Sequence, residues 1–329
     1  MSCLIIKDGQ IVGKGFHNFS GQAHAEINAL REAGEQARGA SVYVSLEPCN
    51  HHGRTGPCSE ALINAGVKEV FYALPDPNPS AAGGAQRLID AGIPATLLAR
   101  NKNIVEFNRQ FLYSHYTGRP FVTVKAGISL DGRIALQSGE SQWITSENAR
   151  NDAQILRAHR GVVLVGRRTA ELDRARLTVR SVDILRQPLR AVIDPSRKLA
   201  EDLPIFDESS ETLRFTHTPT APDDVLFTDL PGVLQELGRR GHRGVLVEGG
   251  RHTITEFIKA DLVDEVVLYV APVILGDGPS WVSELGIELL SDAPKYVLAH
   301  SYTLDENTIH ANQKIILYSR NLSEFVTSE

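Results

Sequence analysis

The sequence contains few cysteines and no long hydrophobic run, and each absence excludes a class of protein. Its 329 residues include only three cysteines, Cys3, Cys49 and Cys58. This cysteine usage argues against a disulfide framework and indicates a reducing compartment. No window approaches the roughly 18 apolar residues of a transmembrane helix, and the first residues lack the charged and apolar regions of a secretory signal. We expect a cytoplasmic protein.

The sequence also lacks an excess of positive charge. Its 34 Lys and Arg residues are outnumbered by 40 Asp and Glu residues, so the formal net charge at pH 7 is −6. Proteins whose main partner is nucleic acid usually carry a basic surface, so this balance argues against that partner. With 42% hydrophobic and 22% charged residues, the chain is long enough for two domains with separate cores. We expect a small-molecule substrate and a homo-oligomer, with no nucleic acid and no membrane.

The stretch from His24 to Cys58 contains the side chains that a hydrolytic zinc site requires. His24, Cys49 and Cys58 offer one imidazole and two thiols, and Glu26 follows the histidine two residues later. Three protein ligands leave a fourth position for water, which is the arrangement of a catalytic zinc site. The sequence therefore predicts Zn²⁺ bound by His24, Cys49 and Cys58, with Glu26 as the general base and acid.

Zinc-dependent deaminases bind the metal with one His and two Cys, and in their general signature two residues separate the cysteines. The segment between the two cysteines is longer in this sequence. Here eight residues intervene, and they include donors suited to a phosphate or a sugar. The sequence predicts a substrate-binding loop with contacts from His51, Arg54 and Thr55, and a solvated polar loop is the alternative. His51 and His52 are also the nearby candidates for a fourth ligand, which would make the zinc site structural.

Hydrophobic patterning predicts an α/β domain over residues 1–117. Apolar runs flank Asp8-Gly9, which indicates a β-hairpin, and helical and strand patterns alternate after it. A strand near 41–46 leads to Pro48 and Cys49 at its carboxyl end, where ligand sites collect in α/β sheets. Because Pro48 favours a turn before a helix, we expect Cys49 at a helix N-terminus, where the helix dipole favours a thiolate.

A second α/β domain is predicted over residues 118–329, after a Thr117-Gly118-Arg119-Pro120 linker. Apolar strands are expected at 121–126, 161–165, 189–193 and 244–247, and an irregular stretch rich in Asp, Pro and Thr is expected between residue 193 and about residue 224. The strand at 244–247 leads into Glu248-Gly249-Gly250 before a helix. A glycine turn in that position lets backbone N–H groups face a phosphate, and a simple turn is the alternative.

Whole motifs of the chain resemble a known family, the bifunctional deaminase/reductases of riboflavin biosynthesis. HAE, SLEPCNHHGRTGPC and DPNP are similar to the deaminase half, and VKAGISLDGRIA, SGESQWIT, LVGRRTAELDRARLTVR, VEGG and LVDEVVLYVAPVILGDG are similar to the reductase half. The resemblance covers almost the whole chain. It implies a cytidine-deaminase-like three-layer α/β/α domain followed by a dihydrofolate-reductase-like α/β domain that uses NADPH.

The resemblance also implies roles for residues of the second domain. The expected substrate contacts are Ser141, Arg157, Arg180 and Glu248. Arginine forks suit a ribose phosphate, and a carboxylate can hold polar groups of the sugar or pyrimidine. The expected cofactor contacts are Lys125, Gly127, Asp131, Trp143, Thr169, Asp173 and Gly250.

Three features depart from the family pattern. Asp173-Arg174-Ala175-Arg176 replaces the family's Asp-Asp/Asn-Pro step. Arg167-Arg168 stands where relatives have small residues, and these arginines either serve the 2′-phosphate of NADPH or obstruct the site. Relatives also carry a helix and a Pro-Asn-Pro loop before the strand that begins near Cys3. We therefore expect a loosened pyrimidine pocket, with deamination weak or absent in this chain.

Three functions are compatible with these patterns. The first is a bifunctional enzyme that deaminates a diaminopyrimidine ribose phosphate with zinc and then reduces its ribose to ribitol with NADPH. The second is a single-activity reductase whose first domain is a zinc-stabilised scaffold. The third is a nucleic-acid-editing deaminase, which the acidic balance and the long segment between the cysteines disfavour.

Overall fold

The computed structural model describes residues 1–17, 21–51, 56–305 and 311–327. The chain divides into two compact units, Met1–Thr117 with the residues from Val326 onward, and Gly118–Phe325. Throughout the described ranges, every helix is too short or too polar to cross a membrane.

The first unit is built on a five-stranded sheet with the order β2-β1-β3-β4-β5. The first two strands form the predicted hairpin, and Asp8 and Gly9 both adopt positive φ angles, 50° and 77°, as a tight two-residue turn requires. β1 is antiparallel to both of its neighbours, whereas β3, β4 and β5 are parallel. The strands are β1 (Ser2–Lys7), β2 (Gln10–Phe16), β3 (Ser41–Val44), β4 (Glu69–Tyr72) and β5 (Ala95–Leu97).

The first helix packs unusually close to the sheet. A Cβ atom on Gly13 would lie 2.4 Å from the carbonyl oxygen of Ala29, and one on Gly15 would lie 1.8 Å from that of Ala25. Because only glycine permits this approach, the start of the helix is held against β2. The helices are α1 (Ala25–Ala33), α2 (Cys58–Ala65), α3 (Gly84–Asp90), α4 (Lys102–Phe107) and α5 (Arg109–Thr117).

The expectation that Cys49 begins a helix is wrong. Residues 47–50 are irregular, and α2 begins at Cys58, with Pro57 in the N-cap position. The backbone N–H groups of Glu47 and Asn50 donate to the carbonyl oxygens of Leu74 and Ala81, each at 2.8 Å. These long-range bonds tie the backbone of the segment to its neighbours, so its N–H groups are not engaged in a helical turn.

The second unit is built on a nine-stranded sheet with the order β10-β9-β8-β7-β11-β6-β12-β14-β13. All neighbours from β10 to β12 are parallel, and the last two strands are antiparallel. The strands are β6 (Phe121–Ser129), β7 (Val162–Gly166), β8 (Leu189–Ile193), β9 (Thr212–Thr216), β10 (Asp224–Leu226), β11 (Gly244–Val247), β12 (Glu265–Ala271), β13 (Tyr296–Leu304) and β14 (Asn312–Ser319).

The centre of this sheet is buried on both faces, which explains the continuous apolar runs of β7 and β11. The helix Glu147–Arg160 is capped at its start, because the Ser146 hydroxyl accepts a hydrogen bond from the N–H group of Ala149. The helices are α6 (Glu147–Arg160), α7 (Arg167–Leu172), α8 (Leu230–Arg239), α9 (Arg251–Lys259) and α10 (Arg320–Thr327).

Candidate functional site

Three potential metal ligands lie together in the first unit. His24 precedes α1, Cys49 lies beyond the carboxyl end of β3, and Cys58 opens α2. Nδ1 of His24 is 3.4 Å from Sγ of Cys49 and 3.3 Å from Sγ of Cys58. Nitrogen and sulfur ligands of a tetrahedral zinc ion are about 3.6 Å apart, so the donor set and its spacing fit Zn²⁺. Within the described ranges, this is the one group of three or more His, Cys, Asp or Glu side chains with metal-binding spacing.

The start of α2 contributes to the environment of Cys49. The backbone N–H group of Cys58 donates to Sγ of Cys49 at 3.4 Å, so the positive end of the helix faces this sulfur. The hydrogen bond from the Cys58 thiol lowers the pKa of Cys49 to about 4, with burial opposing it and His24 adding to it. The same hydrogen bond raises the pKa of Cys58. A cation bound between the sulfurs favours the thiolate form of both.

Glu26 lies in the first turn of α1 and is only 8% exposed. Burial raises the pKa of its carboxyl group, and the negative charge of Cys49 adds to that effect, while His24 opposes it. A carboxyl group with a raised pKa beside a metal site is suited to accept a proton and return it near neutral pH.

His17 and Asp76 border the same cluster, although the sequence predicted a role for neither. The His17 ring lies edge-on to the His24 ring, with centroids 5.2 Å apart. Burial raises the pKa of Asp76, and the negative charges of Glu47 and Cys49 add to that effect. Asp76 was detectable, because it begins the DPNP run of the family resemblance, whereas no local pattern distinguishes His17.

The predicted substrate loop is described only in part. His51 is half-buried, and its electrostatic interaction with Asp76 opposes the rise in the pKa of Asp76, so it lies near the cluster. Arg54 and Thr55 lie outside the described residues, as does His52, the alternative fourth ligand. The substrate contacts of this loop stay predictions.

A charged cluster in the second unit brings together Lys125, Arg157 and Glu248. Val247 pairs with Val124 across β11 and β6, so Glu248 continues alongside Lys125. Arg157 on α6 donates from Nε and Nη2 to the two carboxylate oxygens of Glu248 at 2.6 and 2.8 Å. Nζ of Lys125 lies 3.6 Å from Oε2 of the same group.

Glu248 in this cluster is a fixed anion. Its side chain is 6% exposed. Burial raises its pKa, but Arg157 and Lys125 outweigh this effect and lower the pKa to about 2. Because the carboxylate stays ionised at all physiological pH values, it can accept hydrogen bonds but cannot transfer protons.

A cavity of about 1040 Å³ opens where β7, β8 and β11 end. The backbone N–H group of Gly166 donates to the carbonyl oxygen of Gly249 at 3.0 Å, and Gly250 is the N-cap of α9. A Cβ atom on Gly166 would lie 2.2 Å from Oγ1 of Thr253, so the strand and the helix approach closely. The volume of the cavity is at the upper end of the range for small-molecule sites. The predicted site residues that line it are Ser141, Thr169, Asp173 and Gly250.

Other predicted cofactor residues are placed elsewhere. As far as the described residues show, Gly127, Asp131 and Trp143 do not line the cavity. Asp131 accepts hydrogen bonds from the N–H groups of Leu275 and Gly276 at 3.1 and 2.8 Å, which ties two loops together. Trp143 is 68% exposed. A Cβ atom on Gly127 would lie 3.0 Å from a methyl group of Thr145, so this glycine permits close packing.

The two unusual arginines at the cavity differ in their partners. Nη1 of Arg167 pairs with Glu171 at 3.2 Å, and its Nε lies 4.0 Å from Asp194. Arg168 is exposed and lines the cavity. Arg167 is thus neutralised by neighbouring carboxylates, whereas Arg168 is available to an anionic ligand.

Comparisons with known proteins match both units of the chain. The model of the cytidine and deoxycytidylate deaminase zinc-binding region matches residues 1–74, and the RibD C-terminal domain model matches residues 120–310. The chain is 40% identical over 322 residues to riboflavin biosynthesis protein RibD of Escherichia coli, covering 90% of this chain and 88% of the relative. This chain belongs to the RibD family. RibD of Bacillus amyloliquefaciens is 39% identical over 313 residues, covering 89% and 84% of the two chains.

Solved structures of RibD proteins share the whole fold. RibD of Acinetobacter baumannii superposes with a TM-score of 0.87 and 38% identity, covering 97% of this chain and 91% of that one. The deaminase/reductase of Thermotoga maritima superposes with a TM-score of 0.85 and 30% identity, with the same coverage. The predicted fold class is confirmed, an α/β zinc-binding deaminase unit followed by an α/β reductase unit. The chain is a bifunctional deaminase/reductase of riboflavin biosynthesis, and the editing alternative finds no support.

Proposed function

We propose that the first unit deaminates a diaminopyrimidine ribose phosphate with one Zn²⁺ on His24, Cys49 and Cys58, and that the second unit reduces the ribose to ribitol with NADPH. The T. maritima relative is named a diaminohydroxyphosphoribosylaminopyrimidine deaminase/5-amino-6-(5-phosphoribosylamino)uracil reductase. The observation that carries the proposal is the ligand cluster, which lies beside the buried carboxyl group of Glu26.

In the first unit, Glu26 moves the protons. A zinc ion bound there supplies a Lewis acid and makes hydrolysis possible at neutral pH. Glu26 accepts a proton from the attacking water and returns it to the departing amine. His51 and Asp76 lie beside the cluster, where they can bind polar groups of the pyrimidine.

In the second unit, the residues around the cavity bind the cofactor. NADPH supplies the hydride when it is bound. The glycine turn at Gly250 and the N-terminus of α9 offer backbone N–H groups to the diphosphate. Arg168 is the cation that we assign to the 2′-phosphate, because Arg167 is already paired with Glu171.

The charged cluster binds the sugar substrate next to the cofactor. Glu248 directly precedes the glycine turn, and its carboxylate accepts hydrogen bonds from hydroxyl groups. Lys125 was expected at the cofactor, but its Nζ lies 3.6 Å from Glu248 and 20% of its side chain is exposed, so we assign it to the same substrate. Arg180 is exposed and is assigned to the phosphate. Assembly into a homo-oligomer stays a prediction.

The test is a coupled assay of the wild-type chain and Cys49→Ser with the aminopyrimidine ribotide, zinc and NADPH. Wild type should contain one zinc per chain, release ammonia and oxidise NADPH, and fast ammonia release would contradict the weak or absent deamination expected from the departures in the sequence. Cys49→Ser should lose zinc and ammonia release but still reduce the deaminated ribotide, because Cys49 belongs to the first unit. Full, tight zinc in Cys49→Ser would contradict the ligand set. Reduction without ammonia release in the zinc-loaded wild type would leave a single-activity reductase.

A further inference from the structure

We infer that Glu47 is a positioning residue of the deaminase site, which fixes the Cys49 segment and the loop that carries Asp76. Glu47 is 9% exposed and precedes Cys49 by two residues. The inference rests on the proposed zinc site and adds to it a residue that touches neither the metal nor the substrate.

The Glu47 carboxylate accepts hydrogen bonds from three backbone N–H groups. Oε1 accepts from Gly83 and Ala85, both at 3.1 Å, and Oε2 accepts from Asp76 at 3.3 Å. Gly83 is the N-cap of α3, and the first N–H groups of a helix have no partner within the helix. A side chain from a segment 36 residues earlier therefore caps α3 and binds the Asp76 loop.

Further contacts bind the same two segments together around Cys49. The N–H group of Glu47 donates to the carbonyl oxygen of Leu74 and that of Asn50 to Ala81, each at 2.8 Å. A Cβ atom on Gly84 would lie 1.7 Å from the carbonyl oxygen of Pro48, so α3 abuts the residue before Cys49. Cys49 thus lies between two anchored positions, and the Glu47 carboxylate anchors one of them to α3.

A carboxylate is the group that this position requires. It accepts at both oxygens and donates at neither, which matches the three surrounding N–H donors. Glutamine has nearly the same shape but turns an NH₂ group toward at least one of those donors. A buried donor without an acceptor is costly, so the segments must shift apart to relieve it. Such a shift moves Sγ of Cys49 and the Asp76 carboxylate.

The experiment compares wild type with Glu47→Gln, Glu47→Asp and Asn101→Ala, all as full chains. Asn101 is the matched control, because its side chain caps α4 in the same unit by accepting from the N–H groups of Asn103 and Ile104. The readouts are the rate of zinc release to a chelator and the thiolate-to-cobalt absorption of the Co²⁺-loaded protein. Circular dichroism of each variant reports that the chain is folded, and reductase activity reports that the second unit is intact.

Glu47→Gln should release zinc about 10-fold faster and shift the cobalt spectrum, as expected when support of a metal ligand is lost. Glu47→Asp keeps an acceptor-only group and should recover part of both changes. Asn101→Ala should lower the melting temperature and leave zinc release unchanged. Wild-type release and spectrum in Glu47→Gln, or equal acceleration in Asn101→Ala, would overturn the inference. A wild-type chain that binds no zinc would instead overturn the proposed metal site.

Discussion

Glu26 and Glu248 are both buried carboxyl groups, but the charges around them differ. Glu26 lies among two thiols and an imidazole, and burial is the main reason that its pKa is raised. Glu248 lies between the cations of Arg157 and Lys125, which outweigh burial and lower its pKa to about 2. One side-chain type thus suits two different roles, the proton carrier that we propose for Glu26 and the fixed anion that Glu248 forms.

The two environments also differ in their effect on the stability of the fold. Burial raises the pKa of Glu26, so this carboxyl group takes up a proton and becomes neutral more readily than an exposed one. Glu248 instead depends on its partners, because a buried charge left without its counter-ion is strongly destabilising. Substitution at the first position should therefore affect the rate alone, and substitution at the second should affect binding and stability together.

Glu26→Gln should produce the largest change in rate. We expect deamination to fall by about 100-fold or more, because the general acid and base is removed, while zinc content stays at that of wild type. Ammonia release and elemental analysis measure the two quantities, and reductase activity of the same chain is the internal control. An unchanged deamination rate would reassign Glu26 to a structural role and end the comparison with Glu248.

Glu248→Gln should weaken substrate binding and destabilise the second unit. The KM for the ribotide should rise about 10-fold or more, since charge-assisted hydrogen bonds are lost, and NADPH affinity should change little. The free energy of unfolding should fall by about 3 kcal/mol, because Arg157 is left buried without its partner. Both tryptophans, Trp143 and Trp281, belong to the second unit, so their fluorescence in urea follows this unit alone.

Glu265→Gln is the matched control for that variant. Glu265 forms a buried ion pair with Arg160, also on α6, and their side chains are 0% and 4% exposed. This variant should destabilise the second unit by a similar amount and leave the KM for the ribotide unchanged. If it raises KM as much as Glu248→Gln does, the Glu248 effect is structural. If Glu248→Gln loses NADPH binding and keeps substrate binding, the cofactor binds at the charged cluster and the substrate in the cavity, which is the reverse of our assignment.

Acid should reduce the difference in stability between wild type and Glu248→Gln. The pKa of Glu248 is about 2 in the folded chain, below its ordinary value. A carboxyl group with a depressed pKa contributes stability that is present above its unfolded pKa, about 4.3, and is lost as pH falls through the folded pKa. The difference in urea midpoint should therefore be constant above about pH 5 and shrink toward pH 2.

The metal cluster was predictable because its residues are few and of distinctive type. A chain with three cysteines offers few ligand pairs, and His24 and Glu26 stand together before a helical pattern. The local environment of Cys49 was not predictable in the same way. Its segment is fixed by hydrogen bonds to Leu74 and Ala81, and such long-range bonds cannot be recognised in the neighbouring sequence.

The second site was predictable only through the family resemblance. Lys125, Arg157 and Glu248 are far apart in the chain, and they meet because β6 and β11 are neighbours. No spacing rule yields that pairing. The stretch expected to be irregular contains β9, a fully buried strand. This strand was not predicted because Arg214, which pairs with Glu201, interrupts its apolar pattern. Buried arginines of this kind conceal a core strand from hydrophobic patterning.

Arg180→Ala should have the smallest effect on activity and stability. It tests whether an exposed arginine contributes to substrate binding without contributing to the stability of the second unit. Arg157 donates from Nη1 to the carbonyl oxygen of Thr178 at 3.0 Å, and the N–H group of Arg180 donates to Gln154 at 3.1 Å. These bonds fix the backbone of residues 178–180 to α6, while the Arg180 side chain stays exposed. Its loss should raise the KM for the ribotide about fivefold, the effect of roughly 1 kcal/mol, because an exposed charged contact is weak.

The stability of Arg180→Ala should stay within about 0.5 kcal/mol of wild type, since no buried group loses a partner. Arg186→Ala removes another exposed arginine six residues further on and should change neither KM nor stability. An equal rise in KM for both variants would mean that the ribotide responds to net charge alone. A fall in stability for Arg180→Ala as large as for Glu248→Gln would mean that the exposed arginine and the buried anion form one structural unit.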